Sequence, residues 1–304
     1  MALLMILAGP TASGKSDAAE RLARRVGGDI VNADAMQVYG ALRVLTARPG
    51  EGAGAALSHL YGHVGRDERY SAGRYLAEAG DAVARVRAAG RVPIVAGGTG
   101  LYLRALTEGL SAVPEVPAAV EAEAAARFAR DPAAARAALI ADDPDAGRLA
   151  PGDRQRHVRR MAVLAATGRT LSDWQAARAV PPVPGPVRAA VLCPPRPALY
   201  ARIDARAARD FAAGTEEVRA LLADGGLPDG PLGRALGVRP IAAMLRGEMG
   251  EAEALTRMRR DTRRYAKRQM TWLRVRTQWP WFETADAATA YLAAGAAGVT
   301  DSSA

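Results

Sequence analysis

Short, mostly apolar runs alternate along the first third of the chain with segments whose apolar residues recur at helical spacing. Ala2–Ala8, Asp29–Ala33 and Val92–Ala96 have strand length and the character of strands buried on both faces. Ser13–Val26, Ser71–Ala89 and the segment from Gly100 to about Glu108 carry the helical period. Strands alternating with crossover helices predict a parallel sheet. Pro114 and Pro117 then mark a boundary. From there to Ala179 the pattern gives short helices and no strand, with helix starts at Asp131-Pro132 and Asp142-Asp143-Pro144. The run from Pro181 to Pro186 is a stiff connector, and Arg188–Leu192 returns to the sheet.

The remainder reads as helical. Leu199–Phe211 and Glu216–Ala223 are amphipathic, and Gly225-Gly226 ends the second. Glu251–Arg276 forms a long helix with Leu255, Met258, Thr262, Ala266 and Leu273 on one face. The expected organisation is a core over 1–112, a helical insertion over 113–187, completion of the core over 188–284, and a flexible Ala/Gly/Ser-rich tail over 285–304.

A chain of 304 residues that is 49% hydrophobic has ample material for a core. Cys193 is the single cysteine and His59, His63 and His157 are the only histidines, which excludes a disulfide and argues against structural zinc. His59 and His63 lie four residues apart, but no third ligand accompanies them. Met1–Ala8 is too short to span a membrane and lacks a basic leader, so the expectation is a soluble cytoplasmic protein.

Charge divides the chain. Residues 1–150 hold 17 basic and 17 acidic side chains, whereas 151–304 hold 24 and 15, so the whole excess of +9 lies in the second half. A polyanionic partner is one reading of this asymmetry and a solvated basic face is the other. Thr256–Arg276 concentrates nine basic residues against one acid, Asp261, with Tyr265 and Trp272 interleaved.

The first chemical motif is Gly9-Pro10-Thr11-Ala12-Ser13-Gly14-Lys15-Ser16, which fits G-x-x-x-x-G-K-[ST] between a predicted strand and helix. Its glycines let backbone N–H groups and a helix N-terminus converge on phosphate oxygens. Lys15 reaches the distal phosphates, and the Ser16 hydroxyl is a candidate Mg2+ ligand. The motif calls for a di- or triphosphate and leaves open which bond breaks. Asp34, at the carboxyl end of the second strand, could act as a general base, stand behind a metal, or cap a turn. The fold class is therefore α/β, a P-loop NTPase-like parallel sheet core with an all-helical insertion domain.

These segments together resemble the tRNA dimethylallyltransferases, the isopentenyltransferases of tRNA. The resemblance rests on Gly9–Ser16, Asp34–Tyr39, Thr46–Pro49, Pro93–Tyr102 with its G-G-T-G-L-Y, Asp153–Arg156, Arg202–Arg206, and Thr262–Trp272. It spans about residues 3 to 282. This chain departs from the family pattern at Ala35 (usually Ser), Leu45 (usually Gly), Arg48 (usually Lys) and Val238 (commonly Tyr). The resemblance implies transfer of a dimethylallyl group from dimethylallyl diphosphate to N6 of the adenosine at position 37, beside the anticodon. It implies Asp34 as general base, Thr99 beside acceptor and diphosphate, and Arg206 with Lys15 at the leaving group. It further implies tRNA contacts from Asp34, Ala35, Met36 and Gln37, from Gln155, Arg156, His157, Val158 and Arg159, and from Lys267. Mg2+ is the implied cofactor and the anticodon stem-loop the partner; a monomer is the default expectation.

Three other readings share some of these features. A phosphate-loop kinase of a small metabolite leaves the basic second half unexplained. An adenylate isopentenyltransferase acting on free AMP has no need of a basic insertion. A nucleic-acid-binding NTPase lacks a convincing second acidic strand motif.

Overall fold

The computed structural model describes residues 3–50, 56–177 and 183–297. Ala2, Pro181, Pro182 and the tail beyond 297, all named above, lie outside those residues. The chain divides into two units, Met1–Thr107 with Pro182–Ala304, and Glu108–Pro181.

The larger unit is built on a six-stranded parallel sheet. Its strands are β1 (Leu4–Ala8), β2 (Gly28–Ala33), β3 (Ser58–His59), β4 (Val92–Gly97), β5 (Val187–Leu192) and β6 (Trp281–Phe282), in the order β3-β2-β4-β1-β5-β6. Every residue of β1 and β2 is buried, as expected for strands covered on both faces. Helices α1 (Lys15–Val26), α2 (Ala72–Ala88) and α3 (Gly100–Glu108) belong to this half of the unit. The apolar stripes of α1 and α2 enter separate clusters, one with Met5, Leu7 and Leu22, the other with Ile6, Val31, Tyr75 and Leu103. In open α/β sheets ligands bind beyond the carboxyl ends of the strands. Here the turns after β1, β2 and β4 carry Gly9–Ser16, Asp34 and Thr99.

The smaller unit holds α4 (Ala118–Arg130), α5 (Pro132–Asp142), a 3-10 turn (Pro144–Arg148), α6 (Arg154–Thr167) and α7 (Leu171–Ala176). Its own core is built on Phe128, Leu139 and Met161. Asp131 caps α5 by accepting from the N–H groups of Ala133 and Ala134 at 3.1 and 3.0 Å. Asp143 caps nothing with its side chain. Its buried carboxylate instead pairs with Arg160 and accepts from Ser172 at 2.7 Å.

The second half of the larger unit departs from the sequence reading in four places. One continuous helix, α8 (Arg196–Ala223), replaces the two expected. Gly214, in its middle, reads as a break, but the Leu45 side chain packs where a Cβ would stand. The region after α8 is not all helical: α9 (Val238–Leu245) and α10 (Glu251–Arg276) are followed by β6, which pairs with Val191 and Leu192. Finally, part of the expected flexible tail is α11 (Ala285–Ala297), with Ala288 and Leu292 fully buried against the cluster that holds Leu22. The return to the sheet also comes one residue early, since Val187 pairs with Leu4.

Candidate active site

The turn after β1 leads into α1 through Gly14, whose φ of 89° lies in the left-handed region that glycine tolerates. The amides of the first turn of α1 have no partner within the helix and point toward the turn. Lys15 is buried beneath them, its Nζ 3.3 Å from Pro10 O. Burial pushes its pKa below the usual lysine value; the negative charge of Asp34 opposes this and the positive charge of Arg206 adds to it. Ser13 Oγ is buried with no hydrogen-bond partner among the described residues.

Asp34 is held at the end of β2 by its neighbours. Its N–H donates to Asn32 Oδ1 at 2.9 Å, and its Oδ1 accepts from Met36 N–H at 2.9 Å. One carboxylate oxygen thus closes a turn while the residue stays half-buried beside the cleft. Thr99 sits close by: its N–H donates to Ala33 O at 3.1 Å, and its Oγ1 accepts from Ala35 N–H at 2.9 Å. Tyr265 of α10 also lines the cleft, and its phenol is pushed above its usual range by burial and by Asp34.

Arg206 reaches the phosphate turn from α8. Its guanidinium lies 3.4 Å from Thr11 Oγ1, 3.4 Å from Asp210 and 3.5 Å from Leu45 O. These contacts are long and loosely made. Burial pulls its pKa down from the usual arginine value, while Asp210 and then Asp34 pull it back. Arg202, one turn earlier, donates to Ser13 O at 3.1 Å. One cleft is lined by Thr11, Asp34, Thr46, Arg206 and Tyr265, among others.

The structure therefore brings together Lys15, Asp34, Thr99 and Arg206, which the sequence reading had singled out separately. It corrects others. Gln37 turns inward and is 8% exposed, its amide donating to Thr46 O and Ala47 O at 3.0 and 2.9 Å, so in this fold it braces a loop. His157 is fully buried in the smaller unit, with its ring on Phe128 at 5.3 Å and its Nδ1 donating to Asp153 O at 2.8 Å. It lies on the inward face of α6 with Met161. Val158 packs on the same core. Gln155 and Arg156 are exposed, Arg159 is half-buried and 3.3 Å from Glu121, and Lys267 is exposed on α10.

Two residues had no role assigned from sequence. Gln269 of α10 accepts from Thr11 N–H at 2.8 Å and donates to Gly98 O at 2.9 Å, tying the phosphate turn to the turn after β4. Glu217 of α8 accepts from three successive N–H groups, those of Arg43, Val44 and Leu45, at 2.7, 2.7 and 3.0 Å. Gln269 lay within a quoted motif; nothing local marks Glu217.

Comparison with known proteins supplies what geometry alone leaves open. The family model described as IPP transferase matches residues 37–276. The chain belongs to that family. A second model, Isopentenyl transferase, matches residues 2–62. Curated relatives of this family include tRNA dimethylallyltransferases from Phenylobacterium zucineum, 52% identical over 89% of both chains, and Methylobacterium nodulans, 49% identical over 95% of this chain and 97% of that one. A solved tRNA isopentenylpyrophosphate transferase from Bacillus halodurans superposes with a TM-score of 0.69, at 25% identity and 98% coverage of each chain. A eukaryotic dimethylallyltransferase captured acting on tRNA shares the fold, with a TM-score of 0.73 at 24% identity over 90% of this chain and 70% of that one.

Proposed function

We propose that this member of the family transfers a dimethylallyl group from dimethylallyl diphosphate to N6 of the tRNA adenine beside the anticodon, releasing diphosphate. The observation that carries the reading is the meeting of a phosphate turn with Asp34 and Arg206 in one cleft, in a chain of this family.

Breaking the allylic C1–O bond sends the electron pair out on diphosphate. Lys15, Arg206 and the amides at the start of α1 stabilise the growing negative charge. The adenine N6 lone pair is delocalised into the ring, so the amine must lose a proton as its bond to C1 forms. Asp34 accepts that proton, and Thr99 orients the acceptor while bracing the Ala35 amide. The adenine has to leave its stack to reach these groups.

The oxygen donor at hand, the Ser16 hydroxyl, suits Mg2+, which favours oxygen and takes few protein ligands beside substrate phosphates. When bound, Mg2+ would neutralise charge on the leaving diphosphate. Among the described residues no three His, Cys, Asp or Glu side chains cluster as metal ligands. No helix among the described residues is long and apolar enough to cross a membrane. The same reading has the enzyme working as a cytoplasmic monomer.

The test is mass spectrometry of nucleosides from tRNA incubated with the protein, Mg2+ and dimethylallyl diphosphate. Isopentenyladenosine beside the anticodon is the expected product. Unmodified adenosine there, under conditions in which the protein is folded, removes the proposal.

A further inference from the structure

The cleft is lined by polar side chains, Thr11, Asp34 and Arg206 among them, and by apolar ones, among them Ala207, Ala235 and Met258, which share one hydrophobic cluster with Leu45. Leu45 lines the same cleft and is 5% exposed. Its backbone is held from α8 on both sides: Glu217 takes its N–H and those of the two residues before it, and Arg206 faces its carbonyl. Its side chain is wedged over two glycines. A Cβ on Gly214 would stand 2.5 Å from Leu45 Cδ2, and one on Gly237 would stand 3.1 Å from the same atom. Met258 packs over Gly237 as well, with Sδ 3.2 Å from that Cβ position. Leu45 is therefore a packed part of the apolar lining, its backbone tied to α8 and its branch seated over Gly214 and Gly237.

We infer that Leu45 sets the length of the hydrocarbon chain the enzyme accepts, admitting a five-carbon allylic donor and rejecting one with a second isoprene unit. The inference rests on the function proposed above. The chemistry itself does not discriminate. In a ten-carbon donor the same C1–O bond breaks, the pair leaves on the same diphosphate, and N6 bonds C1 and gives up its proton in the same way. Only room beside the apolar lining can tell the two donors apart, and close packing makes that room definite.

The experiment compares kcat/KM for dimethylallyl diphosphate and geranyl diphosphate with one tRNA. A single methylene is worth about 10–200-fold in an apolar pocket, so the wild type is expected to favour the shorter donor by about a hundredfold or more. Leu45→Ala is expected to raise the geranyl-to-dimethylallyl ratio by about tenfold or more. Glu217→Gln keeps the leucine but turns an amide NH2 toward backbone N–H groups; it loosens the loop and moves the ratio the same way by less. Leu45→Val, smaller by one carbon, gives the same reading if the alanine variant does not fold. An unchanged ratio in a Leu45 variant that still transfers the five-carbon group overturns the inference, as does a wild type that uses both donors equally. A folded wild type that prenylates tRNA with neither donor overturns the proposed function itself, and the inference with it.

Discussion

Burial and two charges, those of Asp34 and Arg206, set the state of Lys15. Its pKa in the fold lies below the value in the unfolded chain, chiefly through burial. Keeping it charged therefore costs the ligand-free fold stability below the folded-state pKa, and this cost fades as pH rises from that pKa to the unfolded one. A bound diphosphate acts in the opposite direction by favouring the charged ammonium. Diphosphate binding should then take up protons on the alkaline side, and its affinity should fall as pH rises through the ligand-free pKa. Calorimetry in buffers of different ionisation enthalpy measures this uptake; none across the alkaline range would contradict the placement of Lys15. At Asp34 the expectation is kinetic. Asp34→Asn should lower kcat by about 10²–10⁴-fold, the usual contribution of a general base, with tRNA affinity largely kept. Single-turnover kinetics beside a binding titration separate the two effects.

At the scale of elements, α8 and α10 assemble the cleft against the strand ends. Gln269 links α10 to two turns through Thr11 N–H and Gly98 O, groups far apart in the chain. Gln269→Leu strands both buried backbone groups, so a loss of about 1–3 kcal/mol in urea unfolding is expected, together with a raised KM for the donor. Unfolding at wild-type stability would mean water replaces the link. Gly98 and Gly100 show how closely these parts approach: a Cβ on Gly98 would collide with Gln269 and Gly9 O, and one on Gly100 would stand inside the Trp272 indole. Much of this was legible in advance. The phosphate turn, Asp34 and the G-G-T-G turn announce themselves because each is a local pattern at a strand end. Glu217 and β6 do not, since their meaning lies in partners distant along the chain. The uninterrupted α8 was hidden for a related reason, because Gly214 is a helix breaker by propensity and a packing site for Leu45 in the fold. His157 differs: it was singled out only as part of the segment that resembles the family, and the helical period turns it inward.

Across the whole molecule, charge and architecture agree. The excess of basic residues lies after residue 150. In the smaller unit it includes Arg156, 73% exposed at the side chain and within 3.3 Å of Asp153. With a phosphate partner at this face, Arg156→Glu should weaken tRNA binding and flatten its dependence on salt, since each neutralised phosphate releases counterions. A salt slope identical to wild type would move the RNA-binding face elsewhere. The larger claim concerns the phosphate turn, an arrangement shared with many nucleotide enzymes, which here would hold a departing group while carbon, not phosphorus, changes partners. It is tested most directly with dimethylallyl diphosphate labelled separately in carbon and phosphorus and incubated with protein and tRNA. The account predicts that the carbon label passes to tRNA and that all the phosphorus is released as intact diphosphate, one for each prenyl group. Phosphorus label on the tRNA, or release as orthophosphate without carbon transfer, would contradict it.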